Sequence, residues 1–327
     1  MKSLMTVQEA SDLILVGKKM LIAGDEGLLT KLPRGEWIGG TSPYFMSEDG
    51  GLCSREQLQV TVLPAMVLST RIETYEASEL ERIPRDYMSN GFSYVLIPAF
   101  TKAHKKFAHD CSTWPGVFDR PLVGWITGIE VQDVGKQTPK VVNGKSGEIS
   151  ASKAAVMHVE LPPEIIARAN IINLFSQGGG DTITFPASGF DITECNVNGQ
   201  LRSFAEYIEE RKIDKKLPLV ADYLGAMVNV SIQSVNADAD KVSLYAPVFI
   251  GQEYRFANPV ADYETEFRKE LEAREIEPVF TCNCILNYLY ANLEGKKTGH
   301  IVGPITFGEI AYMLLNQTLV YLTFESK

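Results

Sequence analysis

Residues 301–324 read IVGPITFGEIAYMLLNQTLVYLTF, and this stretch decides what kind of sheet the chain builds. It opens on β-branched residues, turns at Gly303-Pro304 and passes through Phe307-Gly308-Glu309-Ile310. It closes on a run of strand formers from Thr318 to Phe324. Two strands with a short connection predict a hairpin that completes a sheet made by earlier segments. Glu309 is the odd residue, because a carboxylate among apolar neighbours must be solvated, paired or hydrogen-bonded. Local pattern alone makes it an edge-strand residue facing water.

Working outward, Phe280-Thr281-Cys282-Asn283-Cys284 reads as a strand end entering a helix. Farther upstream stand Ala246-Pro247-Val248-Phe249 and Asp262-Tyr263-Glu264, and near the N-terminus Gly39-Gly40-Thr41-Ser42 follows Trp37-Ile38. Together with Gly308-Glu309-Ile310 and Asn316-Gln317-Thr318, these segments resemble the FIST (F-box and intracellular signal transduction) domain in both its N- and C-terminal halves. After Ser42 this chain has Pro43-Tyr44-Phe45-Met46 in place of the Gly-Glu that the family carries. The resemblance implies a sensory domain for small ligands, amino acids or their derivatives; with no kinase, cyclase or receiver segment visible in the sequence, output is expected through a protein partner or an oligomer.

Composition sets the class. The chain has 327 residues, beyond the usual single core, so two domains are expected, residues 1–153 and 154–327. It is 45% hydrophobic and 22% charged, as ordinary globular proteins are. No apolar run reaches a membrane span, and the acidic residue near the N-terminus does not fit a signal peptide. A net charge of −10 opposes nucleic-acid binding. Five cysteines at irregular spacing suit reduced thiols, hence a cytoplasmic protein.

Element signals run the length of the chain. Thr6 caps a helix through about Val16, with Glu9 completing a capping box. Strands are expected at residues 19–24, 37–40, 57–63, 71–75, 92–100, 122–131 and 156–161, and helices at 78–90 and 101–109. Residues 132–152 form a loop or hairpin. Pro163 suits the first turn of a helix over 164–175. Later come a helix over 201–212, a long apolar stretch at 217–235, strands near 242–249 and 254–257, a helix over 262–273, a strand at 279–282 and a helix over 285–293. Strand runs broken by helices, without regular βαβ alternation, argue for α+β. Two mixed sheets, one per half with helices outside, are expected, and an αββα layering is one form this takes. Gly39-Gly40-Thr41 and Gly303-Pro304-Ile305 hint at duplication, but no period is clear.

Most motifs fail on context. Gln177-Gly178-Gly179-Gly180-Asp181 precedes a strand, the reverse of the order that aims a helix N-terminus at phosphate. Ser150 and Lys153 fit Ser-x-x-Lys but lie at the end of a polar loop. His104 and His109 read as surface residues on a helix end, and His158 and His300 as lone structural histidines. Cys284 reads as a small buried residue at a corner and Cys282 as a strand-end residue where segments can converge into a cleft; with no second pair nearby, neither metal nor cofactor is expected. The residues expected to bind ligand are Thr41, Ser42 and Tyr44, then Cys282, Asn283, Gly308 and Glu309, with Tyr254 and Arg255 as weaker additions. The double glycine before Thr41 lets backbone N–H groups approach a ligand, Asn283 both donates and accepts, and Arg255 can clamp a carboxylate. The alternative is a hydrolase or transferase using Cys282 or Ser42 as nucleophile.

Overall fold

The helix Val7–Leu15 begins as its capping box requires. The Thr6 hydroxyl accepts from Glu9 N, and the Glu9 carboxylate accepts from Thr6 N. The computed structural model describes residues 3–223, 225–272, 277–299 and 301–327. His300 lies outside the described residues. The chain divides into two compact units. The larger takes the residues up to Ile172, Phe267–Leu314 and Leu319–Lys327, and the smaller takes Asn173–Glu266 and Leu315–Thr318.

The larger unit carries three six-stranded sheets built on one plan. The first has the order Leu4–Met5, Leu58–Val62, Met20–Gly24, Trp37–Thr41, Val141–Asn143, Glu148–Ser150. The second runs Ser69–Tyr75, Ala154–Glu160, Gly91–Pro98, Leu122–Thr127, Glu309–Ala311, Met313–Leu315. The third runs Ile165–Ile172, Leu319–Ser326, Phe280–Cys284, Gly303–Thr306, Tyr44–Ser47, Gly50–Cys53. In each sheet the two middle strands are parallel. A helix lies between them in sequence, Glu26–Leu29, Lys102–Asp110 or Ile285–Tyr290, as a parallel crossover demands. Gly91–Pro98 and Leu122–Thr127 are buried along their whole length, the mark of strands covered on both faces. Between the sheets Trp125 stacks on Phe280 with ring centroids 5.9 Å apart, and Tyr94 meets the same Phe280 edge-on at 5.1 Å.

The fold is α+β with mixed sheets. The layout of one sheet per half is corrected, because the described residues form five sheets. Strands from both sides of residue 153 share two of them, and the smaller unit begins at Asn173. The helix expected over 164–175 is instead the strand Ile165–Ile172, paired antiparallel with Leu319–Ser326 over its whole length. Its four isoleucines are β-branched and stiff, and cross-strand partners on the C-terminal strand outweigh the helix-start signal of Pro163. The long apolar stretch at 217–235 is cut into Leu219–Tyr223, Ala226–Val230 and Ile232–Asn236.

The smaller unit has a six-stranded sheet, from Gln200–Ser203 at one edge to Ala226–Val230 at the other, and a three-stranded sheet centred on Lys241–Val248. Side-chain amides hold residues 315–318 in it. Asn229 Nδ2 donates to Asn173 Oδ1 and Asn316 O, Ser231 Oγ donates to Gln317 Oε1, and Gln317 Nε2 donates to Lys216 O. The Asn316-Gln317-Thr318 segment therefore serves as a tie within this unit before the last strand begins.

Candidate functional site

The carboxyl ends of the strands Trp37–Thr41, Leu122–Thr127 and Gly303–Thr306 meet in the larger unit. All three strands end in a buried threonine, Thr41, Thr127 and Thr306. Hydrogen bonds link the ends in a ring. Gly128 N donates to Thr41 O at 2.8 Å, Phe307 N donates to Ile126 O at 3.1 Å, and the Ser42 hydroxyl donates to Ile305 O at 2.6 Å. Gly40 is a close-approach position, since a Cβ there would lie 2.4 Å from Thr127 Cγ2 and 3.3 Å from Trp125 Nε1.

Glu309 stands on this ring and is fully buried, which corrects the reading of an edge residue facing water. Its strand is not the sheet edge, because Met313–Leu315 lies beyond it and Leu122–Thr127 on its other side. Glu309 is directly opposed to Trp125, so the two side chains share a face, and Thr127 shares it by strand alternation. The Thr306 hydroxyl sits 3.4 Å from Glu309 Oε1, 3.1 Å from Gly308 O and 3.3 Å from Asn283 O. Asn283 Oδ1 accepts from Cys284 N and from Asn287 Nδ2. Several polar atoms buried here have no hydrogen-bond partner, namely Asn283 Nδ2, Trp125 Nε1 and Thr127 Oγ1.

The ring gathers most of the residues singled out in the sequence. Thr41 and Ser42 supply two of its linkages, Gly308 and Asn283 surround the Thr306 hydroxyl, and Tyr44 is opposed to Ile305. Cys282 is fully engaged as well. Its thiol points at Gly124 O, 3.3 Å away. Burial first, and then the Glu309 charge, push that thiol well above its ordinary range. Tyr44 packs on Tyr288 at 5.5 Å, and its hydroxyl accepts from Val131 N. Beside it the Arg55 guanidinium bonds Glu130 and Asp133. Tyr254 and Arg255 stand instead on a strand of the smaller unit. Tyr254 is a core residue there, with its ring 5.4 Å from Phe185 and its hydroxyl accepting from Phe249 N. Trp125, Thr127 and Thr306 had no signal in local sequence beyond the strands that carry them.

The remaining motifs resolve as packing. Ser150 Oγ accepts from Ser152 N and Lys153 N, while the Lys153 ammonium pairs with Glu148 and Glu76. Asp181 accepts from Tyr207 and Arg211. His109 is exposed, but His104 is buried on the inner side of its helix, contrary to the surface reading, and burial pushes its imidazole down to about 4. His158 is buried in a satisfied network with Ser93 and Tyr75. Among the described residues, cavities open on the larger unit. One of about 540 Å³ touches Gln59, Phe280 and Thr281, and one of about 810 Å³ lies at Glu48, Gly50 and Gly51. Phe280 connects the first to the stacked Trp125, whereas the second shares nothing with the ring. Among the described residues, no helix is long and apolar enough to cross a membrane.

Comparison with protein families finds a match. The model of a family described as "Family of unknown function (DUF6976)" covers residues 5–325. No curated protein matches the chain.

Proposed function

We propose that this chain, which belongs to the family of unknown function DUF6976, is a cytoplasmic sensory protein that binds a small molecule at the ring of strand ends. The ligand class is an amino acid or derivative, as the resemblance to FIST domains implies, and output passes through a protein partner or an oligomer. The observation that carries the reading is the set of buried polar atoms without partners, Trp125 Nε1, Asn283 Nδ2 and Thr127 Oγ1, on the strands whose ends form the ring or pair beside it. Each such atom costs roughly 1–3 kcal/mol when left unpaired, so a fold that concentrates them gains by placing a ligand against them. Strand ends beside a parallel crossover are also where open α/β sheets present ligands.

The nucleophile alternative is disfavoured by the same geometry. A thiol buried and pushed up as Cys282 is stays protonated, and the Ser42 hydroxyl is committed to Ile305 O. A thermal-shift screen of the intact protein against amino acids, their amides and other metabolites tests the reading. A ligand present at about 100 times its Kd adds about 2.7 kcal/mol to apparent stability. A screen in which no metabolite raises the Tm would sink it.

A further inference from the structure

We infer that the larger unit carries a further binding site, the cavity of about 540 Å³ beside Gln59, which takes an organic monoanion with a neutral N–H group at the far end of an apolar chain. Its polar residues are not those of the ring, so it stands or falls separately. The cavity lies between the strand Leu58–Val62 of the first sheet and the start of Phe280–Cys284 in the third. Leu58 and Val60 face the other way, into a core with Ala10 and Ile14 of the first helix. Side chains alternate along a strand, so Gln59 and Thr61 turn toward the cavity they line.

Gln59 is the odd residue of this face. It is only 2% exposed, and its Oε1 has no hydrogen-bond partner. The residues paired with it on the adjoining strands are Ala23 and Leu4, both apolar, so a leucine would suit the position. A buried carbonyl oxygen without a donor weakens a fold, and stability alone therefore does not call for an amide here. An N–H donor on a molecule in the cavity supplies the missing partner.

The rest of the lining sets the remainder of the ligand. Val279, Phe280 and Val302 form an apolar wall. Phe280 is fixed from behind by Trp125, stacked at 5.9 Å, and by Tyr94 at 5.1 Å, so this wall needs no ordering on binding. Lys18 is exposed and carries the only charge among the described residues that line the cavity. Leu63 N donates to Lys19 O, which places the adjoining Lys18 roughly 13 Å along the strand from Gln59. One ammonium balances one negative charge, and among the described residues no carboxylate lines the cavity to receive a ligand cation. Free amines and free amino acids are thereby disfavoured. An acylated amino group joined through a hydrocarbon chain to a carboxylate meets Gln59, the apolar wall and Lys18 together.

The probe is 6-acetamidohexanoate, titrated into the full chain and read by ligand-observed NMR. Saturable binding in the millimolar range is expected, as suits a fragment of this size. 6-Aminohexanoate, whose head is a cation, and hexanoate, which has no donor, should each bind about tenfold more weakly or worse. Lys18→Met changes an exposed side chain and should weaken the probe about fivefold, the scale of an exposed ion pair. Gln59→Leu should abolish binding and raise the urea midpoint, because it removes the unpaired oxygen. The assignment is overturned if the probe does not saturate, if hexanoate or 6-aminohexanoate binds as well, or if either variant keeps wild-type affinity. A Gln59→Leu midpoint below that of wild type would also overturn it, since the amide would then be a requirement of the fold.

Discussion

Acid should weaken this fold through His158. The imidazole is fully buried between strands, with Nδ1 2.8 Å from Ser93 Oγ and Nε2 3.0 Å from Tyr75 OH. Tyr75 gives its own proton to Asp86 Oδ2 at 2.9 Å, so its oxygen is left to accept from His158 Nε2–H, and Nδ1 then accepts from Ser93. The neutral ring is thus fully satisfied. Burial, helped by Arg71 and opposed by Asp86, pushes the imidazole from 6.5 down to about 4. The proton is therefore held more tightly by the unfolded chain. The His158 contribution is complete above about pH 6.5, declines as the pH falls through the window down to about 4, and is level below it. Between pH 7 and 4.5 the loss is about 2.5 kcal/mol. Urea unfolding of wild type and His158→Gln at both pH values measures it, because acid effects of other groups are common to both proteins. Wild type should lose about 2.5 kcal/mol more than the variant. Parallel losses would refute the reasoning.

Further outcomes follow from the backbone and the thiols. Gly124→Ala should cost more than about 3 kcal/mol, or prevent folding, because its φ is +154° and a Cβ would lie 1.9 Å from Val95 O. A soluble variant with an unchanged urea midpoint would contradict this. Thr6→Ala should cost about 1 kcal/mol by removing the capping box, and loss of helix content without any change in midpoint would contradict it. A thiol reagent at pH 8 should modify only Cys53 in the native protein, since the other four cysteines are buried, and slowly, because desolvation and Glu130 push Cys53 up to about 11. Rapid modification of two or more thiols before unfolding would show that the core opens.

Glu309 shows how far a local reading carries. The residue stood out because a carboxylate in an apolar run needs an explanation, and that argument used no structure. Its surroundings could not be read, because Trp125 reaches it from a chain segment more than 180 residues away. The nearby Thr41, Ser42, Cys282, Asn283 and Gly308 were legible as glycine turns and strand ends, places where backbone and small polar groups approach one another. Tyr254 and Arg255 looked similar but belong to the other unit, since nothing in strand composition says which sheet a strand will join.

What the sequence determined by itself is local and periodic. The Thr6 cap, the helix after Thr101, the buried central strand Gly91–Pro98 and the α+β class follow from capping geometry, side-chain period and β-branching, which act within a few residues. The strand Ile165–Ile172 was decided by its partner, because eight cross-strand pairs with the C-terminal strand outweigh a proline signal that acts over one turn. The threefold plan also came only from tertiary structure. Its parallel pairs begin at Met20, Gly91 and Phe280, unequally spaced and with Asn173–Glu266 set into the third repeat, so no period survives along the chain. Each hairpin, moreover, completes a sheet other than that of the strand before it, and the hydrogen bonds that make the repeat are therefore non-local by construction.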